Sequence, residues 1–343
     1  MSLFYFTIFI FTFLLSLVLT VLIRRAAFRF NIIDAPGLAR KIHKIKTPLL
    51  GGAAIFLSFF IILYFTRDKI LAGDLEARHW LGFFIGGFFL MIGGFLDDKY
   101  NIKPRFQIIF PVLAIVSVLL GGIGIEKITN PSGGFIYLGA FSGILIAIWL
   151  LGMMYTTKLL DGVDGLVAGV TAIGGMIIFL FTMAAKYYQP DIGIAALVLS
   201  AACLGFLVFN WHPAKIFLGE GGSLFLGYAL GVLAIISGGK IAIALLVMGI
   251  PIMDLVWTII RRILTGKNPF KFADRKHLHF RLLDLGLGQR KVVLLYYFFA
   301  AIFGLSALFL QSTGKLLVLG VLIAIMLCIV ASFRYFDKKN EIS

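Results

Sequence analysis

Residues 2–23 read SLFYFTIFIFTFLLSLVLTVLI, and Arg24 and Arg25 follow directly. The stretch contains no charged side chain, and a helix of about 20 apolar residues spans the hydrocarbon core of a bilayer. It is also longer than the apolar core of a cleavable signal peptide, which has about 7–15 residues. We therefore predict that this stretch is a retained first transmembrane helix.

Similar apolar runs recur along the whole chain. Its 343 residues are 61% hydrophobic and 14% charged, whereas a soluble domain is roughly half apolar and a quarter charged. The composition excludes a soluble protein and predicts an all-α polytopic membrane protein with about eleven transmembrane helices. They form one domain over 1–333, followed by a short cytoplasmic tail at 334–343. The predicted segments lie near 2–23, 49–66, 80–96, 106–123, 140–157, 165–185, 191–209, 221–237, 240–260, 291–310 and 315–333.

The basic residues are unevenly divided between alternate loops. With the N-terminus outside, 24 of the 31 Lys and Arg residues fall in inner segments. The positive-inside rule then predicts a cytoplasmic C-terminus in a cell (inner or plasma) membrane. The net charge of +15 indicates contact with the anionic lipid bilayer and with phosphorylated ligands, not with nucleic acid. The outer segment 124–139, GIEKITNPSGGFIYLG, has turn residues between β-prone stretches and predicts a small external β-hairpin.

Two pairs of acidic residues lie at the inner ends of apolar runs. Asp97 and Asp98 are adjacent, and paired carboxylates suit a general base or a magnesium site. The alternative is an ordinary solvated helix end. Asp161 and Asp164 flank a glycine turn and could share one helical face near a ligand, or only cap the next helix. Lys158 just before them could pair with a carboxylate or a phosphate.

Two other inner segments carry groups that suit a nucleotide diphosphate. Lys44 and Lys46 precede a glycine-rich helix start and could hold phosphates, although for lysines taken alone ordinary positive-inside charge is the favoured explanation. Further along, Asn210 could bond to a nucleobase and Phe217 could stack on it. Membrane-surface packing is the alternative for Phe217. Glu220 offers a hard oxygen ligand beside another glycine-rich helix start.

The longest inner loop contains His277, His279 and Arg281. Zinc would need more His or Cys ligands than the loop offers, so phosphate contact is the better functional interpretation. A basic amphipathic loop lying on anionic headgroups is the alternative. Asp254 follows Pro251 within an apolar run, which predicts a broken helix. An intramembrane carboxylate is functional by default, although Asp254 could instead pair with the arginines that follow it.

Together, inner carboxylates, lysines and glycine turns favour magnesium-dependent phosphoryl transfer at the membrane surface, because Mg²⁺ binds through a few carboxylates plus substrate phosphates. The sequence contains no Walker motif that would support ATP hydrolysis.

The order of these motifs resembles the polyprenyl-phosphate N-acetylhexosamine-1-phosphate transferases, glycosyltransferase family 4, which includes the MraY translocase. The closer likeness is to the branch that uses undecaprenyl phosphate and UDP-N-acetylglucosamine. The resemblance covers nearly the whole chain, and the motifs are specific together although each is weak alone. The matching stretches are DAPGLARKIHKIKTPLLGG (34–52), GFLDDKYNIKPR (94–105), DGVDGLVAG (161–169), NWHPAKIFLGEGGSLFLG (210–227), PIMDLVWTIIRR (251–262) and HLHFRLLDLGLGQR (277–290).

The resemblance implies that a UDP-sugar and undecaprenyl phosphate react to give UMP and a polyprenyl-diphosphate sugar that initiates a cell-envelope glycan such as O-antigen or teichoic acid. It implies Mg²⁺, or Mn²⁺ in its place, as cofactor, and is consistent with a homodimer. It assigns catalytic roles to Asp97, Asp98, Asp161, Asp164, His277 and His279, substrate contacts to Lys44, Lys46, Lys158, Asn210, Phe217 and Arg281, and metal contacts to Glu220 and Asp161.

The sequence departs from the family pattern at four positions. Tyr155 and Lys158 stand where the family usually has two asparagines, Glu220 replaces the usual magnesium-binding aspartate, and Phe280 replaces a histidine. These departures keep two other readings open. One is a catalytically silent relative that binds polyprenyl phosphate, and the other is a lipid or solute transporter. The sugar also stays open, with N-acetylglucosamine as the family-based expectation.

Overall fold

The fold is known from a computed structural model that describes residues 3–36, 45–73, 75–130, 134–184, 187–238, 241–266 and 276–342. Lys44, a predicted phosphate contact, lies outside these residues. The helices within them are α1 (Leu3–Arg29), α2 (Gly51–Phe65), α3 (Arg67–Ile70), α4 (Ala77–Tyr100), α5 (Pro104–Gln107), α6 (Ile109–Leu120), α7 (Phe141–Leu160), α8 (Leu166–Thr182), α9 (Pro190–Asn210), α10 (Gly219–Ile236), α11 (Ile241–Val247), α12 (Gly249–Leu264), α13 (Leu278–Asp284), α14 (Gln289–Phe309) and α15 (Ser312–Ile342). The strands are β1 (Ile33–Asp34), β2 (Thr47–Pro48), β3 (Lys127–Thr129) and β4 (Phe135–Tyr137).

Among the described helices, seven are long and apolar enough to cross a membrane: α1, α4, α7, α9, α10, α14 and most of α15. The α11–α12 pair becomes an eighth span if it is joined across its 80° bend, which confirms the predicted break before Asp254. Three shorter apolar stretches, α2, Pro104–Leu120 and α8, cover the remaining predicted segments. The all-α polytopic class is confirmed, whereas the number eleven and the orientation stay predictions.

Burial separates the centre of the bundle from its periphery. In the most apolar window of α10, 89% of the residues are buried, against 11% in that of α15. Helix α10 packs against α7, α4 and α2, while α9 packs against α8 and α1. A helix that is apolar on all sides and buried belongs at the centre. Exposed apolar faces on peripheral helices such as α15 suit contact with lipid.

Glycines allow α10 to approach two neighbours at backbone distance. A Cβ atom added to Gly94 of α4 would overlap the backbone nitrogen of Gly221, and one added to Gly52 of α2 would overlap the Cα of Gly222. Small residues permit this spacing in membrane helices, where close van der Waals packing drives association. The packing brings the last turn of α4 beside the first turn of α10.

Two short ladders complete the fold. Strands β3 and β4 pair antiparallel, with Lys127 opposite Tyr137, which confirms the predicted hairpin. Strands β1 and β2 also pair antiparallel, with Asp34 opposite Thr47. Beyond β2, the amide of Gly51 donates to the carbonyl of Phe217 at 2.9 Å, which ties the start of α2 to the loop before α10.

Candidate active site

Three helix ends meet where the predicted carboxylates lie. Asp97 and Asp98 are in the last turn of α4, Asp161 caps the end of α7, and Glu220 is in the first turn of α10. The amide of Glu220 donates to both oxygens of Asp98, each at 3.2 Å. A carboxylate is favourable there because the helix N-terminus presents free amides and the positive end of its dipole. Residues far apart in the chain thus form one acidic cluster.

Gly219 makes the approach of Asp98 possible. Its φ is +75°, and a Cβ atom at this position would overlap Oδ2 of Asp98. Only glycine adopts this backbone conformation at little cost, and only glycine leaves room for the carboxylate.

We expect Gly219→Ala to lower thermal stability more than Gly286→Ala. Both positions have positive φ, +75° and +88°, so both variants carry the cost of a left-handed alanine, about 1 kcal/mol. Nothing lies within 4 Å of a Cβ at Gly286, whereas Gly219→Ala must also displace Asp98. The additional loss should be about 1–3 kcal/mol, seen as a lower melting temperature in detergent. Equal melting temperatures would show that Asp98 does not depend on this glycine.

A polar chain links Asp97 to Glu220 through Gln107 and Lys158. The Gln107 amide donates to Oδ1 of Asp97 at 2.8 Å, and its carbonyl oxygen accepts from Lys158 at 3.3 Å. The Lys158 ammonium also forms an ion pair with Glu220. Sequence reasoning missed Gln107, although a polar side chain at the start of an apolar segment was a usable signal.

Asp161 lies beside this series of hydrogen-bonded side chains. Its side chain is exposed to solvent, although protein atoms lie close around the carboxylate. Desolvation by these atoms raises the pKa of Asp161 well above the usual value for an aspartate, and the nearby carboxylates of Glu220, Asp98 and Asp164 raise it further. In the part of the chain that the structure describes, no hydrogen bond is made by its carboxylate. Asp161 is therefore free to meet a ligand.

Asp164, by contrast, holds a loop. Its Oδ2 lies 2.7 Å from Nδ1 of His212 and accepts from the amide of Ala214 at 3.1 Å. Arg290 in turn donates to the carbonyl oxygen of His212 at 2.9 Å. The structure therefore gives Asp164 a structural role, because its carboxylate positions the segment that leads to α10. Its catalytic role stays a prediction.

Asn210 also links the segment before α8 to the segment before α10 through its side-chain hydrogen bonds. Its side-chain oxygen accepts from the amide of Gly165 at 3.0 Å, and its amide group donates to the carbonyl of Ile216 at 2.9 Å. The residue is buried, so a contact with uridine would have to compete with these bonds. Phe217, the other predicted nucleobase contact, is half-buried in the adjoining segment.

The two predicted histidines lie at the start of α13, against the Asp161 turn. His277 Nδ1 is 3.0 Å from Oδ2 of Asp254, whose other oxygen accepts from the Leu278 amide at 3.1 Å. Asp254 therefore positions this helix start. The rings of His277 and His279 stack at 5.7 Å between centroids, and His279 Nε2 lies 3.0 Å from where a Cβ of Gly162 would be.

His279 is neutral at physiological pH. Burial lowers its pKa to about 4, because the protein interior disfavours the charged imidazolium. Neither ring nitrogen has a hydrogen-bond partner within the described residues. Arg281 follows on α13, and its amide donates to the carbonyl of His277 at 3.0 Å. Lys46, a predicted phosphate contact, is exposed in the loop before β2.

The described residues do not fit a metal ion held by protein ligands alone. Among them, no group of three or more His, Cys, Asp or Glu side chains could hold one. The carboxylate of Glu220, where a metal contact was predicted, is paired with the Lys158 ammonium. The requirement for Mg²⁺ or Mn²⁺ stays a prediction.

Known proteins with similar sequences identify the family. A family model described as glycosyl transferase family 4 matches residues 80–238. A Bacillus subtilis (strain 168) protein named "Probable undecaprenyl-phosphate N-acetylglucosaminyl 1-phosphate transferase" is 33% identical, over 89% of this chain and 84% of that protein. An undecaprenyl-phosphate alpha-N-acetylglucosaminyl 1-phosphate transferase of Thermotoga maritima is 28% identical, over 95% and 94%. A phospho-N-acetylmuramoyl-pentapeptide-transferase of Halalkalibacterium halodurans is 31% identical, over 88% and 95%. The chain belongs to glycosyl transferase family 4.

Proposed function

We propose that this protein transfers a sugar-1-phosphate, N-acetylglucosamine-1-phosphate, from a UDP-sugar to undecaprenyl phosphate. The products are UMP and an undecaprenyl-diphosphate sugar, the first lipid-linked unit of a cell-envelope glycan. The names of the Bacillus and Thermotoga relatives support the acceptor lipid and the sugar. The observation that carries the proposal is the meeting of Asp98, Asp161 and Glu220 at the N-terminus of α10.

In this reaction an oxygen of the lipid phosphate attacks the sugar-bearing phosphorus, and the bond from that phosphorus to the UMP oxygen breaks. Asp97 is proposed to act as the base toward the lipid phosphate, because it lies at the end of an apolar helix where a lipid headgroup would arrive. Asp161, whose carboxylate is not engaged, is proposed to face the diphosphate. The neutral His279 beside the Asp161 turn can hydrogen-bond to a phosphate or sugar oxygen without adding charge.

We further propose eleven membrane segments with an external N-terminus, so that the site faces the cytoplasm. Two arguments support this orientation: the excess of Lys and Arg in the inner segments, and the cytoplasmic supply of UDP-sugars that the reaction requires. The homodimer remains a prediction.

The pairing of Lys158 with Glu220 favours one second candidate, a catalytically silent relative that binds polyprenyl phosphate. It differs from the transferase in a single measurable property, the release of UMP.

The test is UMP release by the purified full-length protein, with undecaprenyl phosphate and a panel of UDP-sugars, with and without added Mg²⁺. We expect release that requires the lipid and is fastest with UDP-N-acetylglucosamine. Omission of the lipid is the control, because contaminating hydrolases would release UMP without it. No lipid-dependent release with any sugar, from folded protein, would favour the silent relative.

A further inference from the structure

The carboxylates of the acidic cluster repel one another, and a diphosphate ligand would add to this repulsion. Asp97, Asp98, Asp161 and Glu220 lie close enough for their charges to oppose one another's ionisation. A nucleotide diphosphate adds further negative charge at the same place. Like charges at a partly buried site disfavour binding unless a cation compensates them.

Lys158 is a cation already built into this cluster. Its ammonium contacts the Glu220 carboxylate and lies 3.3 Å from Oε1 of Gln107. The side chains of Lys158 and Glu220 are only 25% and 17% exposed, so solvent screens the pair weakly. Gln107 is itself held by Asp97. Lys158 is therefore fixed in place, and it retains hydrogen-bonding capacity because an ammonium has three donors.

The position of Lys158 also bears on metal binding. The ammonium already neutralises Glu220, the carboxylate best placed at the start of α10, and a divalent ion beside that ammonium would be repelled. Among the described residues, no alternative group of three ligands is available.

We propose that the Lys158 ammonium, held by Glu220 and Gln107, supplies the positive charge that binds the diphosphate in this site. It would thereby take the place of a divalent metal. The proposal rests on the proposed function for the identity of the ligand. It makes Lys158 a residue that binds substrate and Gln107 a residue that positions it. It also predicts that binding of the UDP-sugar does not require a metal.

Two binding measurements on the full-length protein in nanodiscs test this. Calorimetry with UDP-N-acetylglucosamine should give a dissociation constant that changes less than about threefold between EDTA and excess Mg²⁺. Lys158→Asn should weaken binding in EDTA by roughly 30-fold, because a charge-assisted contact is lost, and Mg²⁺ should restore much of it. Electron paramagnetic resonance should show Mn²⁺ binding to Lys158→Asn at least about tenfold more tightly than to the wild type.

Lys215→Asn is the matched control, because Lys215 is an exposed lysine in the loop before α10. It should behave as the wild type in both measurements. The proposal is overturned if the wild type binds the UDP-sugar only with metal, or binds Mn²⁺ as tightly as Lys158→Asn does. The wild-type comparison between EDTA and Mg²⁺ needs no substitution, so it decides the matter even if the variant does not fold.

The outcomes also separate this inference from the proposed function. Metal-dependent binding together with UMP release would leave the transferase intact and remove the role of Lys158. Failure to bind any UDP-sugar under either condition would count against the transferase. The Mn²⁺ measurement would then still show whether Lys158 keeps a metal out of the cluster.

Discussion

Asp97→Asn and Asp161→Asn should each lower the rate of UMP release by at least about a hundredfold. Asp97 would lose the ability to accept a proton from the lipid phosphate. Asp161 would lose the charge of a carboxylate that makes no hydrogen bond within the described residues and sits in a solvent-accessible position among other acids. Both substitutions preserve size, so folding should survive. The measurement is the initial rate of UMP release at saturating lipid and UDP-sugar.

Asp68→Asn is the control for these variants. Asp68 is a carboxylate on α3, 95% exposed and 3.8 Å from the Arg67 guanidinium, so its loss should leave the rate unchanged. Near-normal rates in both Asp97→Asn and Asp161→Asn would remove these residues from the chemistry. A loss in Asp68→Asn as well would indicate that the assay reports general damage instead.

Gly94→Ala should destabilise the protein by about 3 kcal/mol or more and sharply reduce the yield of folded material. Its Cβ would overlap the backbone of Gly221, which cannot move away without shifting the start of α10. That shift would also disturb the contact between Asp98 and the Glu220 amide. The measurement is the folded, monodisperse fraction after extraction, together with the melting temperature.

Gly152→Ala provides the comparison. Gly152 lies within α7, and nothing is within 4 Å of a Cβ placed there. Alanine is the better helix former by about 1 kcal/mol, so this variant should be at least as stable as the wild type. If Gly94→Ala folds as well as Gly152→Ala, the helices have room to separate and the close packing is not essential.

The predicted spans differed from the observed helices mainly in length. The predicted segments near 49–66 and 165–185 correspond to α2 (Gly51–Phe65) and α8 (Leu166–Thr182), each too short to pass as a full span by itself. Hydropathy marks where a chain is apolar. It cannot show where a helix stops, because glycines such as Gly165, with φ of +80°, end or start helices through backbone conformation.

The amino-acid sequence by itself determined the fold class, the hairpin of β3 and β4, the break before Asp254 and the family. These features depend on local patterns, namely runs of apolar residues, turn residues and ordered motifs. Such patterns can be recognised without knowledge of how the helices pack. Only the tertiary structure decided which side chains contact one another within the site. It joined Asp98 to Glu220, 122 residues apart, and Gln107 to Lys158, 51 residues apart. A side chain's partner depends on how whole helices pack, and no local pattern contains that information.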